Sequence, residues 1–333
     1  MQYRTFGALN WNTSEIGFGA WAIGGDAWGD QDDSESLKAL NKALDLGVSF
    51  IDTAQAYGNG HSEELIGKVL RDRGETVGGG RIKVATKIPP KPGHWPPFPE
   101  DNWEDRFPED YLRERVEFSL KKLQAETLDI VQLHSWTRAW NAAPQPLHIL
   151  HKLKDEEKLL AVGISTPEHD QNSVIQPMRE GLLDSVQVIY NIFEQEPCAE
   201  LLPVAKENGV GIIVRVVFDE GSLTGKFTKE TTFEEGDFRR RYYSGDRLDR
   251  TIDRVEKVKQ ALEEYPAQAE LGMPSLAIRF ALRHPAVSVV IPGIRNEWQA
   301  EMNCQAADEP EIPGDLYDEL KLYNWRKAFW YGG

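Results

Sequence analysis

The sequence predicts an α/β fold, a (β/α)8 TIM barrel with an N-terminal hairpin and extra C-terminal helices. Three observations carry this. Short apolar stretches alternate with amphipathic ones along most of the chain. The apolar stretches lack the polar alternation of a half-exposed sheet, as parallel strands buried on both faces should. The 333 residues show no linker or break in composition, so residues 1–333 are taken as a single barrel domain. An open doubly wound sheet is the alternative, but it would more often split this length into two domains.

Residues 2–12 alternate weakly around Gly7-Ala8 and suit a hairpin. The first strand is expected over Ile16–Trp21. It contains Gly17-x-Gly19-x-x-Ala22, a pattern similar to a dinucleotide fingerprint, but Gly24 and Gly25 follow where that motif needs a helix. The first helix is placed at about Ser34–Leu46, with Asp32 and Glu35 at capping-box spacing and Gly47 at its end. Val48–Asp52 is the second strand. Ser62 can cap the helix that follows, where Glu63 and Glu64 suit the positive dipole end.

Gly78-Gly79-Gly80 reads as a joint before the third strand, Arg81–Lys87. Residues 88–107 form a long aromatic and proline-rich loop, a length usually kept for function. Pro108 opens a helix, and Leu128–His134 is the fourth strand. Helix–strand pairs continue near Gln145–Glu157 with Leu160–Ile164, from Glu168 with Ser185–Tyr190, and Ala199–Glu207 with Val210–Val216. Residues 219–249 carry no strong pattern. Helices are expected near Arg250–Glu264 and Pro274–Arg283, then the last strand, Val287–Ile291, and a short helix at Trp298–Ala306. The tail carries Tyr323, Trp325 and Trp330.

Composition narrows the function classes. A formal charge of −16 argues against a general nucleic-acid binder, which needs a basic face. Cys198 and Cys304 are the two cysteines and have no paired spacing, which suits a reducing compartment. No run of ~18 apolar residues suggests a membrane span, and the start lacks an apolar signal core, so the expected location is the cytoplasm.

Barrel enzymes gather their chemistry at strand C-termini. Asp52 ends the second strand with Tyr57 in the loop beyond, Lys87 ends the third, and His134 ends the fourth. Each has an ordinary structural reading: a turn cap, loop packing, a surface cation, a core imidazole. Together, at three neighbouring strand exits, they suggest acid catalysis. A phenol has a pKa of ~10, and bringing it to ~7 takes about 4 kcal/mol. A desolvated ammonium beside it could supply much of that, and a carboxylate would hold the ammonium. His134 would donate to the substrate oxygen or help move the proton. No Ser or Cys lies beside a base, and no side chain supplies hydride, so a nicotinamide cofactor is implied.

Asp52-Thr53-Ala54-x-x-Tyr57-Gly58-x-Gly60-x-Ser62-Glu63-Glu64, followed by Lys87 in Ala-Thr-Lys and His134 in Asp-Ile-Val-Gln-Leu-His, resembles the aldo-keto reductases, and the resemblance runs over essentially the whole chain. It implies NAD(P)H-dependent reduction of an aldehyde or ketone. Tyr57 would be the acid, Asp52 and Lys87 its tuning pair and His134 the substrate-orienting group. Ser165 and Gln187 match the nicotinamide-carboxamide partners, although Thr166 stands where the family has Asn. Gly221-Ser222-Leu223-Thr224-Gly225-Lys226 resembles the pyrophosphate-covering segment. Gly293, Arg295, Gln299 and Asn303 match the adenosine end, where Arg295 and Gln299 would meet a 2′-phosphate; this favours NADP (NADPH), with NAD possible. Gly19, Ala20 and Trp21 are also placed against the cofactor. Three departures stand out: Arg215 where an aromatic residue commonly stacks on the nicotinamide, the acidic pair Asp219-Glu220, and Met302 where many relatives carry Glu. Arg239-Arg240-Arg241 could close over the phosphates or form a solvated basic run.

Trp21, Trp28, Trp95, Trp103, Trp136 and Trp140 fall on or near rim loops, which suggests an aromatic-lined pocket for sugars or bulky apolar carbonyls. Trp21, Tyr57, Trp95 and His134 are the expected substrate contacts. The small-molecule carbonyl is the expected partner, with no nucleic acid or membrane, for a monomer or homo-oligomer. Two other classes are open. One is a non-catalytic nicotinamide-binding regulatory subunit resembling potassium-channel β-subunits. The other is a metal-dependent hydrolase with His134, His169 and Asp170 as ligands, set too far apart along the rim to suit a metal.

Overall fold

The computed structural model describes residues 1–25, 28–29 and 31–327. An antiparallel hairpin, β1 (Tyr3–Phe6) and β2 (Trp11–Ser14), comes first. Eight parallel strands follow: β3 (Phe18–Gly19), β4 (Phe50–Asp52), β5 (Lys83–Ile88), β6 (Leu128–Leu133), β7 (Leu159–Ser165), β8 (Ser185–Ile189), β9 (Gly211–Arg215) and β10 (Val287–Val290). They lie side by side in chain order. Parallel bridges Ile16–Val290 and Gly19–Gly293 join the first strand to the last and close the (β/α)8 ring.

The seam needs glycine. Gly19 N–H donates to the Pro292 carbonyl at 3.0 Å, and a Cβ on Gly19 would lie 2.7 Å from the Ile291 oxygen. The first strand is therefore shorter than Ile16–Trp21: its ladder ends at Gly19, and Trp21 leaves the barrel for the rim.

Side chains alternate between two environments, as strand geometry requires. Phe50, Ala85, Ile130, Ala161, Ile213 and Val289 fill the barrel interior. Their neighbours, such as Ile51, Val84, Val131, Val162 and Ile212, pack beneath the helices. Phe6 of the hairpin plugs the floor, stacking on Phe50 with ring centroids 5.4 Å apart. Two residues up each strand the interior turns polar. Asp52 stands above Phe50, Lys87 above Ala85 and Gln132 above Ile130, all buried. This one change of character sets the site on the barrel's C-terminal end.

Several elements differ from their expected bounds. The helix after β4 runs His61–Asp72 and starts from Gly60 at φ 87°, so Ser62 is not its cap. Ser62 instead donates to the Ala20 carbonyl and accepts from Thr53 Oγ1, tying two strand exits together. Glu63 is buried, accepting from Thr86 and Ser119 hydroxyls at 2.6 Å each, rather than serving the helix dipole in solvent. The glycine joint is held: Gly78 and Gly79 N–H groups donate to the buried Asp129 carboxylate. Asp32 caps the Asp33–Asp45 helix through Ser34 and Glu35 N–H, but Glu35 pairs with Lys38 instead of completing the box. The long loop contains a helical turn, Trp103–Arg106.

The patternless stretch folds as a 3-10 segment, Asp219–Thr224, and a turn of helix, Arg239–Tyr242, before the Arg247–Leu262 helix. The following helix spans Pro266–Leu282 and breaks at Gly272, φ 83°. Glu297–Gln305 and Gly314–Lys321 are the extra C-terminal helices. Trp325 is buried, and its N–H donates to the Phe193 carbonyl, docking the tail on the barrel rim. Trp330 lies outside the described residues. Among the described residues no helix is long and apolar enough to cross a membrane.

Replacing Phe6 with Ala empties the barrel floor and should cost about 3–5 kcal/mol. Urea unfolding measures this; a loss under about 1 kcal/mol would show that the floor collapses freely around the gap.

Candidate active site

Strand ends position the first four groups. Lys87 is on β5 and Asp52 at the end of β4, one strand away. The Lys87 ammonium donates to Asp52 Oδ2 at 2.6 Å, the Thr53 carbonyl at 2.8 Å and the Tyr57 hydroxyl at 3.0 Å. All three of its donors have partners, and its side chain is fully buried. Asp52 Oδ1 accepts from Gln187 Nε2 at 2.6 Å and from Gln132 Nε2 at 3.4 Å. The buried charge pair is thus solvated by amides in place of water.

Tyr57 is fixed by the turn that carries it. Gly58 has φ 60° and packs against the Gly24 carbonyl, where a side chain would collide. Trp21 stacks on the Tyr57 ring, with centroids 5.9 Å apart and planes 23° apart. His134, one residue beyond β6, meets the same ring edge-on at 6.0 Å. Trp95 meets His134 edge-on at 5.2 Å.

The electrostatics differ from the expected lowered phenol. Burial raises the Tyr57 pKa above its ordinary value, and the nearby Lys87 ammonium only partly opposes this. Burial, the largest influence, would lower Lys87, but Asp52 and Tyr57 together outweigh it and hold the ammonium charged. Burial first, then Lys87 and Arg215, hold the His134 pKa well below the ordinary histidine value. The site at rest is a neutral phenol and a neutral imidazole above a charged Lys–Asp pair.

These groups form one end of a cavity of about 940 Å³. Gly19, Ala20 and Trp21 line it beside Tyr57, with Ser165, Gln187 and Arg215 opposite. Gly293 lines it next to Gly19, across the barrel seam, and Gly221, Lys226, Arg295, Gln299 and Asn303 line the rest of it. Leu223 and Gly225 do not face it: Leu223 is fully buried, and Gly225 packs toward Met273, so both support the segment from behind. Lys87 lies beneath the wall and touches two lining residues, Asp52 and Tyr57.

Side-chain partners refine the individual positions. The Thr166 hydroxyl is directed to the Gln187 carbonyl, away from the Asn role the family gives that position. Arg215 Nη2 donates to the Thr166 carbonyl and to Glu168, which fixes the guanidinium across the cavity wall. At the far end Gln299 Oε1 accepts from Arg295 N–H at 2.7 Å, and Arg295 Nε donates to Gln31 at 2.8 Å. Asn303 is buried, and its Oδ1 has no hydrogen-bond partner. An acceptor in that state beside a cavity fits the amine of an adenine. Lys226 sits 4.5 Å from the centre of the Trp298 ring, so the middle segment contacts the far-end helix.

Of the six rim tryptophans, Trp21, Trp28 and Trp95 line the cavity. Trp136 and Trp140 are buried and pack edge-on against each other, with their ring N–H groups on Asn141 and the Asp101 carbonyl. Phe238 is a lining residue that sequence reasoning missed, and it packs against both Trp21 and Trp28. Its segment showed no periodicity to find it by. Gln132 and Gln31 were also missed; only the inward position of Gln132, two after Ile130, marked it. Arg239 pairs with Asp237 and covers the Trp28 ring, while Arg240 points to solvent, so the three arginines do not act as one run. Asp170, weighed as a metal ligand, is paired with Arg138, and no group of three ligating side chains gathers among the described residues.

Lys87→Met should destabilise the protein by about 3–5 kcal/mol, because it leaves the Asp52 charge buried without its cation. The double variant with Asp52→Asn should recover most of that loss in urea unfolding.

The family model of the Aldo/keto reductase family matches residues 15–322. The chain is 31% identical over 301 residues to aldo-keto reductase YhdN of Bacillus subtilis, covering 90% of this chain and 87% of that one. It is 25% identical over 313 residues to the NADH-specific methylglyoxal reductase of Escherichia coli, covering 90% and 91%. The fold matches that of aldo-keto reductase AKR11C1 from Bacillus halodurans with a TM-score of 0.75 at 23% identity, over 100% of this chain and 99% of that one. With the family model spanning nearly all of it, the chain belongs to the aldo/keto reductase family.

Proposed function

We propose that the protein reduces an aldehyde or ketone to its alcohol, with NADPH as the preferred cofactor and Tyr57 as the general acid. The observation that carries this reading is the contact of the Lys87 ammonium with both Asp52 and the Tyr57 hydroxyl at one end of the long cavity.

A nicotinamide cofactor bound along the cavity supplies the hydride in this chemistry. The protein's part is to bind the carbonyl oxygen and protonate it. Tyr57 enters the step as a neutral phenol, which a proton donor must be. As negative charge develops on the substrate oxygen, the phenol's proton moves to it. The ammonium 3.0 Å away then stabilises the phenolate left behind. Asp52, with Gln187 and Gln132 on its other oxygen, keeps that ammonium fixed. His134 is neutral and donates a hydrogen bond to the same oxygen without becoming a competing acid.

Arg295 and Asn303 suit the adenosine end. Gln31 anchors the Arg295 guanidinium, whose planar fork matches a 2′-phosphate. A relative described as NADH-specific belongs to the same family, so the choice of cofactor rests on these residues and not on the family. Trp21, Trp28, Trp95 and Phe238 make the substrate end apolar and exclude water, which favours bulky apolar or aromatic carbonyls and sugars with a flat hydrophobic face.

Turnover of a panel of aldoses and aromatic aldehydes, followed by NADPH oxidation, tests the reading directly. Tyr57→Phe should lower kcat by about 10²–10⁴-fold while the NADPH Kd stays unchanged. Bound NADPH with no oxidation by any carbonyl would favour a regulatory subunit instead. Arg295→Leu should weaken NADPH by about 10–100-fold and leave NADH nearly unaffected, as expected for a charged hydrogen bond lost to one ligand only.

A further inference from the structure

Glu220 has no role in the chemistry above, yet it lines the cavity proposed to hold the cofactor. It lines the same cavity as Tyr57, Gly221, Lys226 and Arg295. It is only 4% exposed, and its Oε1 has no hydrogen-bond partner. The backbone is bent to present it: Asp219, Glu220 and Gly221 have φ of 49°, 55° and 99°. The left-handed region is costly for a residue with a side chain.

Neighbouring groups hold that backbone in place. Tyr243 donates its hydroxyl to the Asp219 carbonyl at 2.8 Å, and Ser222 donates to the Asp219 carboxylate at 2.7 Å. Lys327, from the docked tail, forms a buried ion pair with Asp219. The adjacent carboxylate therefore has its own cation, whereas the Glu220 carboxyl faces the cavity.

We infer that Glu220 is a cofactor-binding residue that donates a hydrogen bond from its protonated carboxyl to a phosphoryl oxygen of the dinucleotide's diphosphate. This rests on the nicotinamide-cofactor reading of the cavity. An ionised carboxylate at this point would repel a diphosphate, while a neutral acid is a donor to it. The surroundings favour the neutral form. Burial, then the Asp219 carboxylate, push the Glu220 pKa up to about 8; Arg215 from the end of β9, Lys327 from the tail and Arg239 from the Arg239–Tyr242 helix oppose this. Tyr242 and Tyr243 pack on the same segment, and burial holds both hydroxyls well above the ordinary tyrosine value, so they stay neutral. Behind Asp219, burial pushes Glu194 up to about 7.

The acid form binds the diphosphate, and bound phosphate charge raises the carboxyl's proton affinity further. Cofactor affinity is therefore full below pH 8 and falls as pH rises through it. Tyr57 titrates above this window and His134 below it. A 2′-phosphate has finished titrating by pH 7, since such groups have a pKa near ~6.

Quenching of tryptophan fluorescence gives the Kd of NADH and of NADPH from pH 7 to 9.5 for the wild type and for Glu220→Gln, a neutral isostere that keeps an N–H donor. The wild-type Kd should rise about tenfold between pH 7 and 9, the drop in acid form expected for a pKa near 8. The variant should bind like wild type at pH 7 and lose this pH dependence; subtracting its curve removes the contribution of Glu194. Calorimetry at pH 9 in two buffers of different ionisation enthalpy checks the wild type independently of any variant. Uptake of close to one proton per cofactor supports the inference. Identical pH curves for the two proteins, no proton uptake, or wild-type affinity that rises with pH would overturn it. If neither NADH nor NADPH binds at pH 7, the cofactor reading itself fails and this inference with it.

Discussion

The site depends on one buried cation. The Lys87 ammonium is removed from water, and the protein replaces its hydration with a carboxylate, a backbone carbonyl and a phenol. All three replacements come from one short stretch facing β5. Asp52 ends β4, Thr53 follows it, and Tyr57 lies in the turn beyond. Because an unpaired buried charge is so unfavourable, the three partners are held in register with Lys87 by the same energy that keeps the barrel end assembled. The geometry that would serve acid catalysis is also the geometry that leaves no charge orphaned.

A tyrosine in water beside an ammonium would be the stronger acid, but this one is half-buried against Trp21, His134 and Lys87. Burial opposes the phenolate more strongly than Lys87 favours it. The site therefore stores no phenolate at rest. In the proposed reaction its acidity would emerge only as a substrate oxygen gains charge and the ammonium stabilises the proton's former position. The same balance recurs at Glu220, where burial beside Asp219 outweighs three nearby cations. Both groups hold their protons for the same reason: desolvation disfavours the charged form.

The rim above the site is built from sequence-distant segments. Trp21 follows β3, Trp95 comes from the long loop, and Phe238 from the stretch between β9 and the Arg247–Leu262 helix. Phe238 and Arg239 lie over Trp21 and Trp28, and Lys226 over Trp298. These contacts roof the cavity between the two ends of the chain's polar lining. The tail adds a second tie, since Lys327 anchors the Asp219 side of the covering segment.

The sequence by itself determined the barrel, because short, wholly apolar strands alternating with helices are a local pattern that repeats. It also placed Asp52, Tyr57, Lys87 and His134 at or just beyond strand ends, where the structure brings them together. It could not determine the partners of those groups. Gln187 and Gln132 converge on Asp52 only because strand register brings inward positions to one height. Ser62 is a bridge and not a cap because Ala20 and Thr53 approach it through space. Trp136 and Trp140 pack inside their loop while Trp95 faces the cavity, though all three look alike in sequence. Residues 219–249 carried no periodicity, and their conformation is set by Lys327, Tyr243 and the tryptophans they cover. Local pattern fixes which way a strand residue points; only closure of the ring decides what it meets.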